Sequence, residues 1–268
     1  MPGPQTATHS RKSLDRKLAR IHAGKDTRRD FIIADAKDGD MAFGLAAPGP
    51  NRAGRCPHGY DPEQGCFKTL PDYHNQIRAV IKQNLVDIVL LSASNLERLA
   101  IDEGLFRHST ITPAARANDT TDVWAVRGGS YPKQPSRHFR TADLDHIKYG
   151  RLENNHTRPH TGADLGLYSI TFTNDLDWDY RALEAFHEFR TEAERKNFRY
   201  FLEVFNPNVD PGIPDESVGN FLNDSIVRCL AGVTRAGRPV FLKIPYNGPG
   251  PLEELVAYDP SLVVGILG

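Results

Sequence analysis

Seven short apolar runs recur along the chain, separated by segments with helical spacing: FIIADAKDGD, VDIVLLSAS, STITPAARAND, LGLYSITFTND, FRYFLEVFNP, RPVFLKIPYNG and SLVVGILG. Runs of this length are too short for buried helices. Several end in small polar or charged residues, as a parallel strand covered on both faces does at its C-terminal mouth. The intervening PDYHNQIRAVIKQ, NLERLAIDEG, DWDYRALEAFHEFRTEAERKN, ESVGNFLNDSIVRCLAGVTRAG and PLEELVAYD carry the apolar stripe of amphipathic helices. Strands alternating with helices pair in parallel through right-handed crossovers, which leaves a closed barrel or an open doubly wound sheet. Seven units in 268 residues favour the barrel, whose complete form takes roughly 250 residues. The expected fold is therefore α/β, a (β/α)8 TIM barrel truncated after its seventh strand.

Two regions depart from this rhythm. Residues 1–30 read as a polar tail followed by a short lid helix, SLDRKLARIHAG, with Leu14, Leu18 and Ile21 on one face. The barrel then occupies residues 31–268, interrupted at about 120–163 by a long excursion rich in Gly, Pro and charge. Irregular segments of that length in a compact domain usually carry function. The apolar fraction of 39% with 25% charged residues suits a single packed core. A net charge of -1 gives no field to gather nucleic acid, and no apolar run reaches the roughly 20 residues of a membrane span. With no secretory signal at the start and three cysteines, an odd number, a cytoplasmic protein without disulfides is expected.

Barrel chemistry sits at the C-terminal strand ends on inward-facing side chains, and a period of two selects them. On RPVFLKIPY the outward set is Val240, Leu242 and Ile244, which turns Phe241, Lys243 and Pro245 inward. Burial disfavours an ammonium, and a neutral amine attacks carbonyls to form Schiff bases. A lysine that reaches water, or pairs with a carboxylate, is the competing reading. The same parity on FRYFLEVFNP turns Glu203 inward beside Lys243, either as an acid/base partner or as a plain ion pair. On the first strand Asp35 and Lys37 share a face, with Asp35 suited to orient the amine or bind a substrate hydroxyl, while Asp38 and Asp40 fall in the turn. Ser169, Thr171 and Thr173 form a polar inward face on the fourth strand. Arg116, Arg127, Lys133, Arg137 and Arg140 gather near a Gly-Gly pair, either as an anion clamp or as a solvated loop; Arg116 ranks first because it ends a strand.

Asp35 ending strand one, Glu203 in FLEVF, Lys243 in FLKIPY and VVGILG on strand seven together resemble the class I aldolases of the deoxyribose-phosphate, tagatose-bisphosphate and archaeal fructose-bisphosphate group. The resemblance runs over about residues 31–268 as scattered strand-end motifs. It implies a carbon–carbon lyase acting on a phosphorylated ketose or related sugar through a Lys243 Schiff base, with Glu203 and Asp35 in the catalytic set. Lys37, Arg116, Thr171 and Thr173 would contact substrate, and Gly265 and Gly268 would offer backbone N–H groups to its phosphate. It departs from the group on strand four, where SITFTND replaces a second lysine, arginine or tyrosine.

No cofactor and no metal is expected, and the partner is a small sugar phosphate, with a homo-oligomer left open. Cys56, His58, Cys66, His156 and His160 are zinc-type ligands whose spacing matches no close-set pair. They keep a metal-dependent barrel lyase or isomerase as one alternative, and a catalytically silent sugar-phosphate-binding barrel is the other. Phosphate-loop, dinucleotide and serine-hydrolase signatures are absent.

Overall fold

The computed structural model describes residues 12–51 and 66–267. Among these, seven strands form one sheet: β1 (Ala34–Lys37), β2 (Ile88–Leu91), β3 (Thr112–Arg116), β4 (Leu165–Thr171), β5 (Arg199–Phe205), β6 (Leu242–Ile244) and β7 (Val264–Ile266). Every neighbouring pair is parallel, and the order across the sheet follows the order along the chain. A doubly wound sheet reverses its order partway across. An unbroken sequential order with a separate apolar cluster on each face is barrel-like.

The two clusters fix which way each strand faces. Ile88, Leu90, Ala114, Leu165, Leu167, Phe201 and Phe241 form the inner one. Val89, Leu91, Ala115, Tyr168, Ile170, Leu202, Val204, Leu242 and Ile244 pack outward with helix residues such as Ile77, Phe186, Phe189, Ile226 and Leu255. Those come from α3 (Leu70–Gln83), α6 (Leu176–Arg195), α7 (Val218–Ala231) and α8 (Pro249–Tyr258), while α1 (Ser13–His22), α2 (Gly39–Phe43), α4 (Ala93–Leu96) and α5 (Leu144–Tyr149) are the remaining α-helices. Local chemistry sets the starts. Thr69 and Asp72 form a reciprocal capping box on α3, and Asp175 accepts the backbone N–H groups of Asp177 and Trp178 on α6. The helix expected over NLERLAIDEG continues α4 as a π-helical stretch, Glu97–Asp102, before Gly104 ends it with φ +65°.

Helix α1 plugs the N-terminal end of the sheet rather than lidding its mouth. Leu14 and Leu18 enter the inner cluster, and the Lys12 ammonium donates to the Phe106, Ser109 and Ile111 carbonyls just ahead of β3. Lys17 pairs with Asp87 at 2.7 Å ahead of β2, and Arg199, at the start of β5, reaches Asp15 at 2.7 Å.

Three expectations change. The first strand is not covered on both faces: β1 alternates exposed and half-buried residues because it is an edge of the sheet, unpaired with β7 among the described residues. The excursion at 120–163 is not structureless: His138–Phe139 pairs antiparallel with Asp119–Thr120, α5 follows, and Trp124 packs on Tyr131 and Phe139. Finally, Cys66 is disulfide-bonded, its partner lying outside the described residues, while Cys229 is free and buried. An odd count forbids complete pairing but leaves room for one bridge. No helix among the described residues is long and apolar enough to cross a membrane.

Candidate active site

Parallel register carries facing from strand to strand, and it places Ser169, Glu203 and Lys243 side by side: Ser169 pairs with Glu203 across β4 and β5, and Glu203 with Lys243 across β5 and β6. All three lie on the inner face, in line with Leu167, Phe201 and Phe241 below them. The Lys243 amine stands 2.5 Å from Glu203 Oε1, with the lysine side chain 24% exposed and the carboxylate 1%. Ser169 Oγ donates to the other glutamate oxygen at 2.8 Å. Asn118 in turn fixes the Ser169 backbone, accepting from its N–H at 2.7 Å and donating to its carbonyl at 2.9 Å. The amine is thus reachable from solvent while its carboxylate partner is held from both sides.

Arg116 extends the cluster inward. Its Nε donates to Asp38 at 2.5 Å, one terminal nitrogen to Ser169 Oγ at 3.2 Å, and its head lies 3.6 Å from Asp119 and 3.9 Å from Glu203. Burial works against its charge, but Asp38, Glu203 and Asp119 more than offset that and raise its pKa further. The arginine expected to meet a substrate anion is therefore occupied by carboxylates of the protein itself.

The first-strand acid in this cluster is Asp38, not Asp35. Register pairs Ala34 with Ile88 and Ala36 with Leu90, both inward, and Asp35 with Val89 and Lys37 with Leu91, both outward. Asp35 and Lys37 close on each other at 2.8 Å instead. Asp38 continues the inward face just past the strand and is 6% exposed. An odd displacement along a strand moves a side chain to the other face of a sheet, so Asp35 and Asp38, three residues apart, face opposite ways. Asp40 sits nearby, accepting from Ser92 at 2.6 Å and Asn95 at 3.1 Å, its pKa raised by burial despite the Ser92 bond.

The other expected contacts scatter. Thr171 Oγ1 donates to Asp122 at 2.9 Å, and Thr173 gives both its N–H and its hydroxyl to Asp179 in the first turn of α6. Gly265 lies on β7 opposite Lys243, and Gly268 falls outside the described residues, as do Cys56 and His58. Among the described residues no group of three or more His, Cys, Asp or Glu is placed to hold a metal ion.

Sequence reasoning does not single out Asp119. It is 3% exposed, one of its oxygens has no hydrogen-bond partner, and burial pushes its carboxyl up to about 7, against the pull of Arg116 and with a further push from Asp38 and Asp40. The folded carboxyl keeps its proton to higher pH than the unfolded one, near 3.9. Folding therefore takes up a proton between about pH 4 and 7, and this group's contribution to stability falls as pH rises through that window. In thermal melts from pH 5 to 8, Asp119→Asn is expected to lose less Tm than the wild type; parallel profiles would show that Asp119 ionises normally in the fold.

No family model and no curated protein matches the chain. Among solved structures, the chain is similar to the crystal structure of Cgl0159 from Corynebacterium glutamicum (Brevibacterium flavum), with a TM-score of 0.55 and 15% sequence identity over 95% of this chain and 76% of that one. At that identity the likeness concerns the fold alone.

Proposed function

We propose that the chain is a (β/α)8-type lyase of the class I aldolase kind, cleaving or forming the bond between the α and β carbons of a phosphorylated ketose or related sugar through a Schiff base on Lys243. The observation that carries the reading is the half-buried amine 2.5 Å from a carboxylate that is 1% exposed. Glu203 takes a proton from the Lys243 ammonium, the freed amine adds to the substrate carbonyl carbon, and the carbinolamine hydroxyl leaves as water after Glu203 returns the proton. The iminium then accepts the electron pair of the breaking carbon–carbon bond while the hydroxyl of the departing fragment loses its proton to a base, which releases an aldehyde and leaves an enamine. Protonation of the enamine carbon and hydrolysis restore the amine. In this scheme Ser169 orients Glu203. Asp38, held by Arg116, supplies the first-strand carboxylate in place of Asp35.

Water re-enters at the carbonyl carbon, so the mechanism exchanges the substrate's carbonyl oxygen with solvent. With dihydroxyacetone phosphate in 18O-labelled water, the enzyme is expected to speed incorporation of label well above the uncatalysed rate, with chelator present or absent. Exchange no faster than in buffer would count against the Schiff base.

A further inference from the structure

The chain contains a single Asn-Gly pair, Asn247–Gly248, four residues beyond Lys243 in the turn that leads from β6 into α8. The Asn247 side chain closes a reciprocal amide pair with Asn206, the residue that directly follows β5. Asn206 Nδ2 donates to Asn247 Oδ1 at 3.0 Å, and Asn247 Nδ2 donates back to Asn206 Oδ1 at 2.9 Å. Strands β5 and β6 pair only at Leu202–Leu242 and Glu203–Lys243. The two amides thus clasp the ends of the strands that carry Glu203 and Lys243, beyond their last paired residues.

Three features of the turn favour attack of the Gly248 nitrogen on the Asn247 side-chain carbonyl carbon. Glycine has no side chain to shield its nitrogen, and the Gly248 N–H donates to no group among the described residues. The place where a Cβ would stand on Gly248 is open, with nothing within 4 Å. Asn206 sets an N–H on the Asn247 carbonyl oxygen, which draws electron density from the carbon under attack. The glycine is also fixed by the fold, because at φ +96° any other residue is strained. The turn therefore keeps the one neighbour that leaves an asparagine amide open to its own backbone.

We propose that Asn247 is a site of spontaneous deamidation, which undoes the clasp between the ends of β5 and β6. The Gly248 nitrogen loses its proton to solvent and bonds to Asn247 Cγ. The Cγ–Nδ2 bond breaks, and the amide nitrogen takes a proton from water and leaves as ammonia. Water then adds to either carbonyl of the resulting succinimide and opens it to aspartate or isoaspartate, with no oxidant or cofactor required. Both products set a carboxylate oxygen against Asn206 Oδ1, so two acceptors meet where a hydrogen bond stood. Isoaspartate also adds a methylene to the main chain in a tightly packed turn, where a Cβ on Gly219 of α7 would stand 3.1 Å from that of Asn247. The proposal holds whatever reaction Lys243 performs.

The whole protein, held in mildly alkaline buffer at physiological temperature, sampled over days and digested with trypsin, tests the site. The peptide beginning at Ile244 is expected to gain one mass unit ahead of every other asparagine-containing peptide and to become a substrate for isoaspartate methyltransferase. Asn247→Gln, whose side chain must close a larger ring, is expected to leave that peptide unchanged. Asn247→Asp, which imitates the product, is expected to lower Tm by about 2–4 °C, the scale of one lost hydrogen bond, and to have no such effect in an Asn206→Ala background. An Asn247 that outlasts the other asparagines in the folded protein overturns the proposal. So does an Asn247→Asp Tm that is unchanged, or that falls equally without Asn206.

Discussion

Lys243→Arg is expected to remove carbon–carbon lyase activity by on the order of 10³-fold or more while leaving the protein folded, the size of effect seen when a covalent nucleophile is lost. Arginine keeps the positive charge that Glu203 faces at 2.5 Å, so the ion pair survives. Its guanidinium does not give up a proton in proteins and forms no iminium. Steady-state rates and melting curves on the same sample separate the two roles of the lysine. Glu203→Gln is expected to lower the rate by about 10² to 10⁴, the range for loss of general acid–base help. Near wild-type turnover in the Lys243→Arg protein would reduce Lys243 to an electrostatic partner and remove it from the chemistry.

The second large effect is on stability. Arg116→Met is expected to cost about 3–5 kcal/mol, the penalty for taking one partner out of a buried charge cluster. The reason lies in what remains: Asp38, Asp119 and Glu203 are 6%, 3% and 1% exposed, and the arginine is the counter-charge they share. For a domain of this size the loss corresponds to a Tm lower by roughly 10 °C. Arg140→Met breaks a pair with Glu192 that is 28% exposed on both sides and is expected to cost no more than about 1 kcal/mol. Equal losses for the two variants in denaturant unfolding would show that the Arg116 cluster does not depend on its cation.

The strands and most helices are legible because their signal is periodic and local. FRYFLEVFNP and RPVFLKIPY set the parity that turns Glu203 and Lys243 to one face and Leu202, Val204 and Leu242 to the other, as the two apolar clusters have it. Val240 breaks the pattern, packing with the inner cluster, because the regular strand begins only at Leu242. On FIIADAKDGD parity puts Asp35 and Lys37 on one face, as the register has it, without telling which face that is. An edge strand with alanines on its inner face carries no strong apolar alternation, so nothing in the sequence separates Asp35 from Asp38. The partners of Arg116 are hidden for a different reason: Asp38 reads as a turn residue and Asp119 as the polar end of the STITPAARAND run, and only long-range packing buries them. Thr171 and Thr173 look free on their strand, yet Asp122 and Asp179 come from loops whose course the sequence does not specify.

Borohydride trapping with peptide mapping tests the central claim most directly. Treated with dihydroxyacetone phosphate and borohydride together, the protein is expected to gain the mass of the reduced carbonyl fragment at one site, on the peptide containing FLKIPY and at Lys243, with no gain when either reagent is omitted. Modification of a different lysine, or an unmodified Lys243 in a sample that cleaves its substrate, contradicts a Schiff-base mechanism at this residue.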